Sequence, residues 1–73
     1  MAQSFTFCRG ERQFTVEIPQ EHSELEAVVK KLADERFRNV LLAMLYASDE
    51  VSQTYSPDQA IFLLTAIQGV NSL

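Results

Sequence analysis

Two runs of alternating apolar and polar residues flank Gly10 within the first eighteen positions. Phe5, Phe7, Phe14, Val16 and Ile18 fall on one parity of two runs that meet at Gly10-Glu11. With a two-residue loop at that point, Phe7 faces Phe14 and Phe5 faces Val16. The opposite side then carries Ser4, Thr6, Cys8, Gln13, Thr15 and Glu17. A period of two that stays in register across both runs predicts a β-hairpin over 3–18. Glycine at the first loop position suits a type II′ turn, and Pro19 closes the second strand because it lacks an N–H. Two strands alone are unstable in water, so the apolar side must rest on helices.

Beyond Pro19 the period lengthens. Ser23 and Glu26 match a capping box, and Leu25, Val28, Val29 and Leu32 make one helical stripe, predicting a helix at about 23–33. Phe37, Val40, Leu41, Met44 and Leu45 make a second stripe, predicting a helix at about 35–51. No Gly or Pro separates the two, and Glu26, Lys30, Asp34 and Arg38 form an i, i+4 ladder of alternating charge. The stripes nonetheless differ by well over 90° at about 100° per residue. Exposing one Leu forfeits about 1.5–3 kcal/mol, against about 0.2–0.5 kcal/mol for each surface ion pair. Burial outweighs the ladder, and a break is expected near Ala33–Glu35, where Lys30 and Lys31 suit a helix end and Asp34 and Glu35 a helix start. Ser56-Pro57-Asp58-Gln59 predicts a third helix at about 57–68, with an N-cap Ser, Pro at the first helical position and Gln at the capping-box position. Gly69 is its expected stop. The segment SDEVSQTY between the second and third helices is expected to be a fraying end and loop.

The expected fold is therefore α+β, an N-terminal two-stranded antiparallel β-hairpin packed on about three α-helices, in a single small domain spanning 1–73. A domain of this length buries only about 60–65% of its unfolded surface and is marginal alone. Disulfides, metals or association are the usual remedies. One cysteine, Cys8, makes no internal disulfide, and one histidine, His22, with scattered carboxylates makes no structural metal site. Association remains.

The apolar positions point the same way. Leu42 and Tyr46 lie off the stripe of the second helix, and Ile61 and Phe62 lie off the Ala60, Leu63, Leu64, Ile67, Val70 face of the third. A helix apolar on every side should be covered on every side. These four residues are either ordinary core or a surface for a second copy or another protein.

Composition narrows the chemistry. The chain is 47% hydrophobic and 22% charged, with net charge −4, which reads as globular and opposes general nucleic-acid binding. No apolar run reaches membrane-span length, and MAQSFTF lacks the basic and apolar parts of a signal peptide. A cytoplasmic location is expected, where a lone thiol stays reduced. His22, beside Glu21 and Ser23, reads as a solvated residue ahead of a helix, and Asp34/Glu35 and Asp49/Glu50 as solvated or capping charges. Cys8 lies near Arg9 and Arg12, which could lower a thiol pKa, but no histidine partner is near in sequence. No catalytic residues, cofactor site, metal site or small-molecule substrate are assigned, and an enzyme is not expected.

Arg9 and Arg12 are directly opposed at the hairpin tip, with Glu11 between them. They either keep the strand edges from pairing with other chains or form a cationic claw for a carboxylate or phosphate surface. Lys30, Lys31, Arg36 and Arg38 would extend that patch if the first helix or its junction packs beside the tip.

The expected function is that of a small acidic protein-binding regulator or adaptor. It would dock on a larger protein, such as an enzyme or the transcription machinery, or homodimerise, through Arg9, Arg12, Leu42, Tyr46, Ile61 and Phe62. Small inhibitors of toxins or polymerases are similar in size and charge. RGERQFTVEIP is faintly similar to a stretch of the cell-division proteins that cross-link filaments, but this chain lacks that group's long terminal coiled coil. The alternative is a DNA-binding transcriptional regulator with the hairpin as a basic wing. Against it, the third helix contains no Arg or Lys, on which major-groove readers rely.

Overall fold

The structure is a computed structural model that describes residues 3–47 and 55–73. It is α+β. Strands β1 (Gln3–Arg9) and β2 (Arg12–Ile18) form an antiparallel hairpin, followed by a 3-10 turn (Gln20–Leu25). Helices α1 (Glu26–Lys31), α2 (Glu35–Tyr46) and α3 (Pro57–Asn71) complete the described elements. The segment 48–54, with Asp49, Glu50 and the expected end of the second helix at 51, lies outside the described residues.

The hairpin register pairs Phe5 with Val16, Phe7 with Phe14 and Arg9 with Arg12. Among the described residues Gly10 alone takes a positive φ, +62°. With Glu11 at negative φ, the turn needs a left-handed residue only at its first central position, as type II′ does. The inner face carries half-buried Phe5, Phe7 and Phe14 and buried Val16 and Ile18. On the outer face the hydroxyls of Thr6 and Thr15 are 3.0 Å apart.

The chain does break between the two stripes. Leu32 closes α1, and the Asp34 side chain accepts from the Arg36 N–H at 2.9 Å as the N-cap of α2. The turn lets Leu25, Val29 and Leu32 share one core with Leu41 and Leu45, which a straight rod would have placed on another side. Of the charged ladder, only Glu26–Lys30 survives as an ion pair, at 3.4 Å. Lys30 and Lys31 end α1 with their ammonium groups over the rings of Phe5 and Phe37, 5.5 and 5.8 Å from the centroids.

Four local expectations are corrected. Ser23 does not cap a helix. The chain turns into 3-10 geometry directly after Pro19, and α1 begins at Glu26 with no side-chain cap. Glu26 instead faces Lys30 and, with the Gln3 amide nitrogen turned toward it, accepts from Gln3 at 2.9 and 3.1 Å. Val40 is 55% exposed rather than core, and Arg38, about 200° around α2 from it, is buried instead. His22 is half-buried, its ring tilted against Phe62 at 5.7 Å between centroids. Gly69 does not stop α3. The helix runs on to Asn71 and closes at Ser72, whose hydroxyl donates to Gln68 O at 2.8 Å. A Cβ at Gly69 would lie well under 3.0 Å from three carbons of the Phe14 ring, so the glycine gives that ring its seat.

The start of α3 is fixed by a complete capping box. Ser56 Oγ accepts from the Gln59 N–H at 3.2 Å, and Gln59 Oε1 accepts from the Ser56 N–H at 3.0 Å. The Gln59 amide nitrogen also donates to Glu24, tying α3 to the 3-10 turn. Ser56→Ala should cost about 1 kcal/mol of unfolding free energy, measured by urea denaturation. A loss below about 0.3 kcal/mol would show that the cap contributes little.

Candidate functional site

Helices α2 and α3 run antiparallel. Arg38, in the first turn of α2, donates through Nε to Asn71 Oδ1 in the last turn of α3, at 2.8 Å. Further along α2, Leu41 and Leu45 enter the same core as Leu63 and Ile67. The Tyr46 end of α2 therefore lies toward the Ile61 end of α3. On α2, Leu42 and Tyr46 are one turn apart on the flank shared with Arg38. Leu42 is half-buried and packs on the core, whereas Tyr46 is 67% exposed. On α3, Ile61 is 63% exposed on the side that also presents Thr65 to solvent.

The four apolar candidates thus divide. Tyr46 and Ile61 are exposed, and Leu42 is half-buried against the core. Phe62 points about 100° away from Ile61, is half-buried and packs on His22. Val40 is a further exposed apolar residue, on the opposite flank of α2.

The hairpin tip is a separate surface. Arg9 and Arg12 are both exposed and directly paired in the register. They share the parity of Phe7 and Phe14, so they continue the inner face of the hairpin beyond the core. Arg9 Nη1 makes a long contact, 3.4 Å, to the main-chain oxygen of Leu73 just past α3. The tip is thus held beside the end of α3. Cys8 is exposed and unpaired on the hairpin.

Arg38 is the residue that pattern reading placed wrongly, as part of a solvated ladder. It is only 9% exposed. Its Nη1 donates to Leu32 O at 2.7 Å, capping the end of α1, while Nε reaches Asn71. A signal was present: Arg38, Leu41 and Leu45 are spaced i, i+3, i+7, which puts the guanidinium stem on the core face of α2. The Nδ1 of His22 is buried and has no hydrogen-bond partner among the described residues.

Among the described residues no helix is long and apolar enough to cross a membrane, and no three His, Cys, Asp or Glu side chains group to hold a metal. No family model, curated protein or solved structure matches the chain.

Proposed function

We propose that this chain is a non-enzymatic protein-binding module, a small acidic regulator or adaptor that docks on a larger protein or on a second copy of itself. The supporting observation is the exposure of Tyr46 on α2 and Ile61 on α3, with Leu42 half-buried one turn before Tyr46. Large apolar and aromatic side chains left in water are candidate anchors of a protein interface. Arg9 and Arg12, exposed at the hairpin tip, would steer acidic partners through bidentate contacts. The net charge of −4 would keep the free module soluble.

The test compares the native chain with Tyr46→Glu and Ile61→Glu. Both sites are exposed, so each variant should keep its stability within about 0.5 kcal/mol. Sedimentation velocity should show self-association, or affinity capture from the native host should retain a specific protein. Each substitution should weaken that association at least about tenfold, as expected when an interface anchor becomes a buried charge. A native chain that stays monomeric at high concentration and captures nothing sensitive to either substitution would overturn the reading.

A further inference from the structure

Among the described residues the sheet has two strands, so each strand has one edge without a neighbour. A two-residue turn is closed by a hydrogen-bonded pair, here Arg9 and Arg12, and such pairs alternate along an antiparallel ladder. Phe5 and Phe7 therefore bond across to β2, while the N–H and C=O groups of Ser4, Thr6 and Cys8 point out from the free edge of β1. Among the described residues none of those groups makes a main-chain bond outside the hairpin. A pocket of about 270 Å³ opens beside this edge, its lining including Thr6 and Cys8 of β1 and an apolar wall of Phe7, Val70 and Leu73.

The two edges differ. β2 holds buried Val16 and Ile18, carries Glu17 and runs into Pro19. β1 has no buried residue, and Phe5 and Phe7 are only half-covered on its inner face. Its register is unbroken by a bulge, and it contains no Pro or Lys and no charge before Arg9. The usual guards of an exposed edge are thus missing from β1.

β1 is also complementary to itself. When two copies are set antiparallel about Thr6, Thr6 meets Thr6, Phe5 meets Phe7, Ser4 meets Cys8 and Gln3 meets Arg9. In this register every outward group of Ser4, Thr6 and Cys8 finds a partner, and a one-residue slip would lose them. Aromatic and Thr–Thr pairs are favourable across strands, and no like charges are opposed. Phe5 of the second copy falls opposite Phe7, at the mouth of the apolar pocket. At each end Arg9 of one copy falls beside Gln3 of the other. The Gln3 amide nitrogen, turned toward Glu26, lies 2.9 and 3.1 Å from its carboxylate oxygens. The exposed guanidinium of one copy therefore arrives beside a carboxylate of the other, twice by symmetry.

We propose that two copies of this chain join edge to edge through β1, making a continuous antiparallel sheet in the order β2–β1–β1–β2 about a two-fold axis at Thr6. The helices of both copies then lie on the same side of that sheet. This seat for a second copy does not rest on Tyr46 or Ile61, and it leaves the helical surface to a different protein.

Sedimentation equilibrium of the full chain should show a dimer. Thr6→Pro removes the central outward N–H and keeps the bonds to β2. It should weaken the dimer at least about tenfold, with the circular dichroism of the fold unchanged. Tyr46→Glu and Ile61→Glu should leave the dimer constant as it is, which keeps this test separate from that of the helical surface. Ser4→Cys, at an exposed position, gives a second readout without disturbing the edge. Opposed Cα atoms of a hydrogen-bonded pair lie about 5.5 Å apart, within disulfide reach. Four residues along one strand span about 13 Å, so the new thiol can reach Cys8 only of the other copy. Mild oxidation should then give a covalent dimer at least about tenfold faster than for the native chain, whose two Cys8 thiols are held apart by the same offset. A native chain that is monomeric at about 1 mM would overturn the proposal. So would a folded Thr6→Pro variant that dimerises as well as the native chain, or a Ser4→Cys variant that gains no cross-link.

Discussion

Arg38→Ala should destabilise the protein by about 3 kcal/mol, a large part of the roughly 4–11 kcal/mol available to a domain of this length. Three losses combine. Leu32 O loses the donor that caps α1, Asn71 Oδ1 loses its partner at the end of α3, and the buried stem leaves a void between the two helices. An unsatisfied buried acceptor costs about 1–3 kcal/mol, and the void adds to it. Arg38→Met separates these contributions, since it keeps the stem and removes only the donors. It should recover the void's share and still fall short of the native chain. Asn71→Ala should cost about 1 kcal/mol, and the double variant should cost less than the sum, because one bond cannot be lost twice. Urea denaturation of all four variants checks the set. Arg38→Ala within about 0.5 kcal/mol of native would mean that the guanidinium is a solvated group with no structural task.

Gly69→Ala should cost about 2 kcal/mol, although alanine is the better helix former. Gly69 lies within α3 and has no left-handed φ, so its backbone suits alanine. The obstacle is the Phe14 ring, which occupies the space the new methyl would need. Phe14 must swing outward and give up its place against the core. The cause can be isolated by a reversal of sign. In a Phe14→Ala background the seat is empty, and Gly69→Ala should then stabilise by about 0.5–1 kcal/mol, the ordinary gain of Ala over Gly in a helix. Thermal or urea unfolding of the four-member cycle decides it. A loss of the same size in both backgrounds would show that Phe14 is not what Gly69 accommodates.

These two residues also mark where the sequence stopped being informative. Gly69 has the look of a helix stop, because glycine commonly follows a last helical turn. Here its missing side chain is used for a close approach by a strand residue 55 positions earlier (69 − 14). Nothing in the neighbourhood of either residue announces that meeting. Arg38 was counted in a surface ladder because local spacing permits i, i+4 pairing. The acceptors that draw it inward come from the end of another helix and from α3. The Ser23 capping box failed for a similar reason. Pro19 closes the strand and the chain enters a 3-10 turn at once, which carries Leu25 into the core before α1 begins.

The candidate surface divides along the same line. That α2 and α3 carry more apolar residues than one face can hide was legible from Leu42, Tyr46, Ile61 and Phe62. Which of them stay in water was not. Phe62 is half-buried against the core and meets the ring of His22, a histidine that reads in sequence as solvated. Tyr46 and Ile61 stay exposed.

The sequence by itself determined the hairpin, its register and turn, and the start of the last helix at Ser56, and it favoured a break near Ala33–Glu35 that the structure places at Asp34. Each depends on periodicity or on capping groups within a few residues, where chain connectivity already sets the geometry. Only the tertiary structure decided the burial of Arg38, the seat of Phe14 on Gly69 and the pocket between β1 and the ends of α1 and α3. Those depend on which surfaces meet across long separations, and a one-dimensional pattern specifies that a face must be buried without specifying against what.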